Sequence, residues 1–526
     1  MQLKDLLPTI AQHPVQGDWH CQIRGLAYDS RTVKPGYLFI SLGGDKTSGD
    51  RYIAQAIAQG ASAIISAAPA PANLQAEICW VQQPTSRVLL AEIAARFYHH
   101  PDRELKLIGI TGTNGKTTLT YLMEAILNHA KIPTGVIGTI QYRYPGFVQE
   151  AQRTTPEALD LIRLQRHMVD QGVQALAMEV SSHALAQQRT HLQNFDVAIV
   201  TNITQDHLDY HGDMAGYIKA KALLFASLEL SCKHHPVAVI NGDDPNCAPI
   251  LHTVMQRLPK RFLTFGYAHN CSVRPVQVAF AHNGLHATIA LQKLDGTREE
   301  LNIQSSLVGR HNLMNILAAV AASHALGIAT TSIASGIAKL THVPGRLECI
   351  STSLGTTIYI DYAHTDDALV NVLQALHTIR REGQHGQGRI ITVFGCGGDR
   401  DKLKRPQMGL AVLGLTDIAV ITSDNPRNED PMQIIADITA TPEMTRAFCH
   451  PTQLSQIQHY PCATIMADRR EAILTAMQLA KSNDLILIAG KGHEQTQEIR
   501  GIKHPFSDRE VTLQLMEKMG WTLASA

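Results

Sequence analysis

TGTNGKTT, Thr111–Thr118, decides the fold of this chain. It follows an apolar run, Leu105–Ile110, that reads as a buried strand, and it precedes LTYLMEAILNHA, which reads as a helix. A strand, a glycine-rich turn and a helix bring backbone N–H groups and a helix N-terminus to one point, and that point binds phosphate. In such a loop the Lys116 ammonium reaches the β- and γ-phosphates and the Thr117 hydroxyl ligates Mg²⁺. Expected nucleotide contacts therefore cover Thr111, Gly112, Thr113, Asn114, Gly115, Lys116, Thr117 and Thr118. The stretch departs from the generic G-x-x-x-x-G-K-[ST] pattern, because Ile110 stands where that pattern wants glycine. A glycine-rich turn with no nucleotide is the competing reading; Gly-Lys-Thr-Thr between strand and helix favours phosphate.

Outward from this loop, one unit recurs: an apolar run, a polar or glycine-rich signature, then an amphipathic stretch. ALAMEV leads into SSHA, DVAIVTNI into TQDHLDYH, PVAVI into NGDDP, and TTIYI into DYAHTDDAL. RIITVF leads into GCGGDRDK, DIAVIT into SDNPRNED, and DLILIA into GKGHEQ. Such alternation predicts an α/β chain with mainly parallel sheets, whose ligands sit at the carboxyl ends of the strands. Length predicts roughly three domains. Composition places the boundaries at 1–104, a smaller N-terminal α/β domain with short strands YLFISL and ASAIISA; 105–344, the P-loop domain; and 345–526, a C-terminal Rossmann-like α/β domain.

The bulk numbers exclude several classes. Of 526 residues, 44% are apolar and 17% charged, and 46 basic residues balance 46 acidic ones. That balance argues for neither a nucleic-acid nor a membrane-surface partner. No apolar run approaches the length of a membrane span, and MQLKDLLPTIAQHP lacks the layout of a secretory leader, so a cytoplasmic protein is expected. Nine scattered cysteines without a C-x-x-C pair argue against disulfides and a zinc ribbon.

The strand-end clusters supply candidates. Glu179 closes ALAMEV, where a carboxylate beside a phosphate loop is a Mg²⁺ ligand. His207 and His211 are four apart, as in zinc peptidases, but Leu208 stands where the required glutamate would be, so that reading fails; His207 alone remains a candidate metal ligand. Lys221 reads by default as a surface lysine. Asn312 and Asn315 open an apolar helical stretch, and Arg346 in PGR suits either a phosphate contact or a hinge turn. SDNPR puts Asp424, Asn425, Pro426 and Arg427 on one turn; a carboxylate, an amide and a guanidinium there suit both poles of a zwitterion. Arg400 in GGDRDK and Glu494 in GKGHE sit at neighbouring strand ends, although each turn alone is ordinary turn chemistry.

With these residues in hand, the chain resembles the Mur ligase family, and within it the diaminopimelate-adding branch. TGTNGKTT, MEVSSHAL, DHLDYHG, GRHNLMN, PGRLE, DYAHT, GCGGDRD, DNPR and GKGHE stand in the family's order over nearly the full length. The resemblance implies an ATP- and Mg²⁺-dependent ligase of peptidoglycan precursor synthesis. Its small-molecule substrates would be UDP-N-acetylmuramoyl-L-alanyl-D-glutamate, activated as an acyl phosphate, and meso-2,6-diaminopimelate, whose amine displaces phosphate. An acyl phosphate hydrolyses in water, so domain closure before transfer is expected. A monomer is expected.

By the same resemblance, Lys116, His207, Lys221 and Arg346 are catalytic. Thr117, Glu179, His207 and Lys221 (as a carbamate) hold magnesium, overturning the surface reading of Lys221. Asn312 contacts adenine, and Arg346 and Asp361 the nucleotide. Ser30 and Asp45–Thr47 contact the nucleotide sugar; Thr154, Thr155, Ser181, Gln187 and Arg189 the muramoyl dipeptide; and Arg400, Asp424, Asn425, Pro426, Arg427, Gly490 and Glu494 diaminopimelate. Arg427 would pair with the distal carboxylate that lysine lacks. Asp366, where the family commonly has proline, and Arg153, where some members have asparagine, are departures. The rivals are a lysine-adding ligase, a folate polyglutamylating ligase and a P-loop regulatory ATPase without ligation.

Overall fold

The structure is a computed structural model describing residues 1–43, 48–281, 283–381, 386, 388–450, 453–454 and 460–524, with the backbone of 382. Asp45–Thr47 therefore lie outside the described residues. The chain forms two compact units, residues 1–264 with 321–328, and residues 265–320 with 329–526.

The first unit contains two sheets. The N-terminal one comprises β1 (Val15–Gln16), β2 (Gly25–Ala27), β3 (Tyr37–Ile40), β4 (Ala61–Ser66) and β5 (Cys79–Gln82), in the order β1-β5-β4-β3-β2. Only β1 runs antiparallel to its neighbour. One face packs Leu38, Ile40, Ala63, Ile65 and Val81 against Leu90 and Ile93 of the helix Arg87–Phe97.

The second sheet contains β6 (Lys106–Thr111), β7 (Thr134–Ile137), β8 (Gln141–Tyr144), β9 (Phe147–Glu150), β10 (Ala175–Glu179), β11 (Val197–Val200), β12 (Val237–Asn241) and β13 (Phe262–Phe265). Their order is β13-β12-β11-β6-β10-β7-β8-β9. Strands β7, β10, β6, β11 and β12 are parallel, and β10 and β11 are buried along their whole length, as parallel strands covered on both faces must be. The chain leaves β6 for β7 on one side and reaches β11 on the other. The phosphate loop after β6 thus occupies the topological switch point, where the strand ends splay and leave a crevice.

The helix after the loop is Lys116–His129. Leu119, Leu122, Met123, Ile126 and Leu127 recur at three- and four-residue spacing and are all buried. The expected strand begins and ends one residue later than the apolar run suggested, because Thr111 continues the ladder.

The second unit holds an antiparallel meander, β14 (Val273–Ala281), β15 (Gly284–Gln292) and β16 (Arg298–Ser305). It also holds a six-stranded sheet of β17 (Glu348–Ser351), β18 (Thr357–Asp361), β19 (Ile390–Phe394), β20 (Ile418–Ile421), β21 (Cys462–Ile465) and β22 (Leu485–Ala489). The order is β17-β18-β22-β19-β20-β21, parallel except for β17. Asp361, Gly395, Thr422 and Gly490 therefore fall at one edge of the sheet, at or just after the carboxyl ends of four strands. All nine cysteines are free. Among the described residues, no helix is long and apolar enough to cross a membrane.

Candidate functional site

The phosphate loop is shaped by contacts that only its own residues allow. Gly112 has φ +143°, and a Cβ there would lie 1.9 Å from Thr201 Oγ1. Gly115 caps the helix in the left-handed region, at φ +88°. The loop is tied to the end of β11: Thr113 N donates to Asn202 O at 2.8 Å, Asn114 N to Asn202 Oδ1 at 2.9 Å, and Thr201 Oγ1 to Asn114 O at 2.6 Å. Lys116 Nζ donates to the loop carbonyls of Gly112 and Thr113, both at 2.9 Å. The ammonium is thereby held at the mouth of the loop.

Beside it, Glu179 closes the adjacent strand β10 and is 1% exposed. Its carboxylate accepts from Thr117 Oγ1 (2.9 Å), Thr139 N (2.9 Å) and Thr139 Oγ1 (3.0 Å). A hydroxyl and a carboxylate this close offer two hard oxygen donors, the kind Mg²⁺ takes alongside phosphate. The sequence reading missed Thr139; a single threonine in VIGTIQ carries no local signal.

His207 follows β11 with φ +54° and caps the short helix Leu208–His211. Its ring meets His183 edge-on at 4.7 Å, and His183 also lies 5.4 Å from His211. Burial holds the pKa values of His183 and His207 below the usual histidine value, so both are neutral at pH 7 and available as ligands.

Lys221 is 1% exposed on the helix Met214–Leu230, so it is not a surface lysine. Its Nζ lies 4.3 Å from the Tyr217 ring centroid. Burial, reinforced by the Lys116 charge, drives its pKa well below the ordinary lysine value. That direction favours the unprotonated amine, the form that can capture carbon dioxide as a carbamate.

The dipeptide candidates converge next to Glu179. Thr155 Oγ1 donates to Glu179 O at 2.9 Å, and Ser181 N donates to Thr155 Oγ1 at 3.1 Å. Thr154 Oγ1 lies 3.1 Å from Thr139 Oγ1. Arg189 donates to Thr155 O (3.0 Å) and Gln187 Oε1 (2.6 Å), and Gln187 Nε2 donates to Tyr210 OH (3.3 Å). Gln187 also lines a cavity of about 290 Å³ with Leu42, Ser86 and Arg87. Ser30 is buried and donates to Gln55 Oε1 at 2.8 Å, within the N-terminal sheet's surroundings.

In the second unit, Asp361 accepts from Leu347 N (2.7 Å) and Ala363 N (2.8 Å), so it braces the PGR turn that carries Arg346. Burial raises the Asp361 pKa. The Arg346 guanidinium lies 4.9 Å from the Tyr362 ring centroid. Asn312 lies within the first turn of the helix Arg310–Ala325 and donates back to Val308 O at 2.8 Å; it is buried inside the helix start and does not cap it.

The SDNPR turn follows β20. Asp424 is 5% exposed, and its Oδ1 has no hydrogen-bond partner among the described residues. Burial raises the Asp424 pKa against the opposing charges of Arg469 and Lys491. Gly490, at φ +117°, lets the backbone pass close to this carboxylate: a Cβ there would stand 3.1 Å from Asp424 Oδ2. Asn425 Nδ2 donates to Glu494 Oε2 at 2.8 Å. Pro426 O packs against Gly398, where a Cβ would come within 2.0 Å. Arg427 has φ +50°, and its Nη1 donates to Gly398 O at 2.5 Å. Arg400 Nη1 donates to Asp399 O at 3.4 Å on the same glycine-rich loop. The three loops foreseen from sequence are thus brought together. The sequence reading passed over Lys491, Arg469 and Arg405, all buried, which hold these loops in place; the lysine between two glycines of GKGHE was the available signal.

Comparison with known proteins matches the Mur ligase middle domain over residues 110–323, the Mur ligase glutamate ligase domain over 345–492, and the Mur ligase family catalytic domain over 22–98. A UDP-N-acetylmuramoyl-L-alanyl-D-glutamate–2,6-diaminopimelate ligase of Geobacter metallireducens is 42% identical over 97% of both chains. One of the same name from Gloeobacter violaceus is 42% identical over 94% of both. A solved structure of a ligase of that name superposes with TM-score 0.67 at 28% identity, covering 99% of each chain.

Proposed function

This chain belongs to the Mur ligase family, and from that premise we propose that it adds meso-2,6-diaminopimelate to UDP-N-acetylmuramoyl-L-alanyl-D-glutamate at the expense of ATP, in peptidoglycan precursor synthesis. The observation that carries the reading is the 2.9 Å hydrogen bond between Thr117 of the phosphate loop and Glu179 at the end of the neighbouring strand. It puts two oxygen donors for magnesium beside the nucleotide loop.

The γ-phosphoryl group passes from ATP to the D-glutamate γ-carboxylate, leaving ADP and an acyl phosphate. The unprotonated amine of diaminopimelate then attacks the acyl carbon, phosphate departs, and an amide remains. Lys116 balances charge on the β- and γ-phosphates. Thr155, Ser181, Gln187 and Arg189 orient the dipeptide, and Asn312, Arg346 and Asp361 serve the nucleotide end. Thr117 and Glu179 would hold one Mg²⁺, and neutral His207 with carbamylated Lys221 a second. Bound magnesium offsets the charge of the triphosphate.

Asp424 and Glu494 receive the ammonium of the amino acid, while Arg427 and Arg400 receive carboxylates. An arginine fork at a carboxylate favours an acceptor with a distal carboxylate over lysine. The same reading takes the chain as three domains bounded at 104 and 344, acting as a monomer in the cytoplasm, where ATP is supplied.

The test is phosphate release by the purified protein with each co-substrate omitted in turn, and with L-lysine replacing diaminopimelate. Release only with both the UDP-muramoyl dipeptide and diaminopimelate supports the reading. Equal release without them, or with lysine, overturns it. Lys116→Ala should abolish release while leaving the unfolding transition in place.

A further inference from the structure

Lys491 belongs to GKGHE, yet its side chain is fully buried. Its ammonium has three protons and three acceptors: Thr496 O at 2.7 Å, Glu494 Oε2 at 2.9 Å and Asn425 Oδ1 at 3.1 Å. Asp424 Oδ1 lies 3.8 Å away. One cation therefore stands between two acids of the same pocket and fixes the amide of the residue between them in the turn. Asn425 is orientated doubly, since its Oδ1 accepts from Lys491 and from Glu498 N (2.9 Å) while its Nδ2 donates to Glu494.

We propose that Lys491 is a positioning residue for the acceptor amino acid, locking the Asp424–Arg427 turn to Glu494 so that the two acids are held in place to receive an ammonium group. The proposal rests on the reading of this pocket as the diaminopimelate site. Lys491 does not touch the substrate, because nothing of its side chain is exposed. What it controls is the charge and spacing of groups that do. Without it, the two carboxylates lose the cation that stands between them, which favours protonation of one of them and weakens the attraction for an ammonium.

Charged and titratable groups facing Glu494 are Lys491, Asp424, His493, Arg469 and Tyr362. His493 is held neutral by burial, its pKa pushed down to about 4, so it contributes no charge at pH 7. Burial works against the ionised form of Glu494; the Lys491 charge, foremost among the opposing groups, and the hydrogen bonds from Asn425 and Lys491 hold that carboxyl below its ordinary value. Removing Lys491 must therefore raise the Glu494 pKa. Acceptor binding, present above that pKa and lost as pH falls through it, would then fail at a higher pH.

The experiment compares the full-length wild type with Lys491→Met and Lys491→Arg, measuring KM for diaminopimelate, KM for ATP, kcat, and kcat/KM for diaminopimelate against pH. For Lys491→Met the expected result is a rise in acceptor KM of at least about tenfold with ATP KM within about twofold, and an acid limb moved to higher pH. Lys491→Arg keeps the charge but misplaces the hydrogen bonds; it should raise acceptor KM less and leave the acid limb where it is. ATP and acceptor KM rising together, or an unmoved acid limb in Lys491→Met, overturns the proposal. If Lys491→Met does not fold, Lys491→Arg decides alone: an unchanged acceptor KM overturns it. A wild type that ligates no diaminopimelate would instead sink the functional reading beneath it.

Discussion

Thr117 Oγ1 donates to Glu179 Oε1 at 2.9 Å, so the first helical turn after the phosphate loop is latched to the end of the adjacent parallel strand. Glu179→Ala would remove the acceptor shared by the buried Thr117 hydroxyl and the half-buried Thr139 N–H, and a lost buried hydrogen-bond partner costs about 1–3 kcal/mol. Glu179→Gln retains the volume but removes the charge. Both variants should lose more than about 100-fold in ligation, in keeping with several kcal/mol of lost charge stabilisation. The Tm should fall further for alanine. Initial rates over a magnesium titration, with thermal unfolding alongside, check this; near-normal turnover by Glu179→Gln would remove the carboxylate from the magnesium set.

Lys221 has the opposite energetics, because its burial opposes its own charge. In carbonate-free buffer the folded protein binds fewer protons at this position than the unfolded chain, which retains an ordinary lysine. Stability should therefore rise with pH between the depressed folded value and the ordinary one. Lys221→Met should flatten that dependence and leave the protein at least as stable at pH 7, since no buried amine remains to be desolvated. Chemical denaturation at pH 7 and pH 9 reads both effects. Ligation should be lost in Lys221→Ala and partly restored by a small carboxylic acid; full activity without the acid would mean that no carbamate is needed.

These two residues also mark how far sequence carries. The position of Glu179 was legible because an acid that closes a continuous apolar run falls at the carboxyl end of a buried strand, here the one beside the loop. The parallel sheets were legible because fully buried strands leave continuous apolar runs such as ALAMEV and DVAIV. The burial of Lys221 was not, on physical grounds alone. Its helix, MAGYIKAKALLFASLEL, is apolar around most of its circumference, so no amphipathic stripe assigns Lys219 and Lys221 to solvent or core. Only the family resemblance singled it out. Lys491 and Thr139 were missed because their partners lie far along the chain: Asn425 is 66 residues from Lys491, and Glu179 is 40 from Thr139.

Arg427 holds a left-handed backbone, with N donating to Glu498 O (3.0 Å) and O accepting from Arg500 N (2.6 Å). Both bonds pair the residue with one segment, Glu498–Arg500, while the guanidinium reaches Gly398 O and lies 3.7 Å from Glu498 Oε2. Arg427→Lys keeps one positive charge but loses the planar fork. It should raise KM for diaminopimelate by about tenfold or more, with little effect on KM for ATP, the loss expected for one of two charge-assisted hydrogen bonds. Parallel increases in both constants would place Arg427 away from the amino acid.

Arg469 and Asp508 form a bidentate ion pair at 2.8 and 2.7 Å with neither side chain exposed, and Arg469 Nη2 also donates to Ala489 O at 2.9 Å. Removing one partner leaves an uncompensated buried charge, so Asp508→Ala should cost about 3–5 kcal/mol. Replacing both with apolar residues, as in Arg469→Met with Asp508→Leu, removes the stranded charge and should recover much of that loss. Catalysis should not recover in step. Arg469 is the foremost charge opposing the burial-driven rise in the Asp424 pKa, so the double variant leaves Asp424 easier to protonate. Stability near wild type combined with a raised acceptor KM, worst at low pH, is the expected outcome of denaturation and kinetic measurements on the same preparations. If acceptor KM stays at the wild-type value in a double variant of restored stability, the pair is a scaffold only and Asp424 does not depend on it.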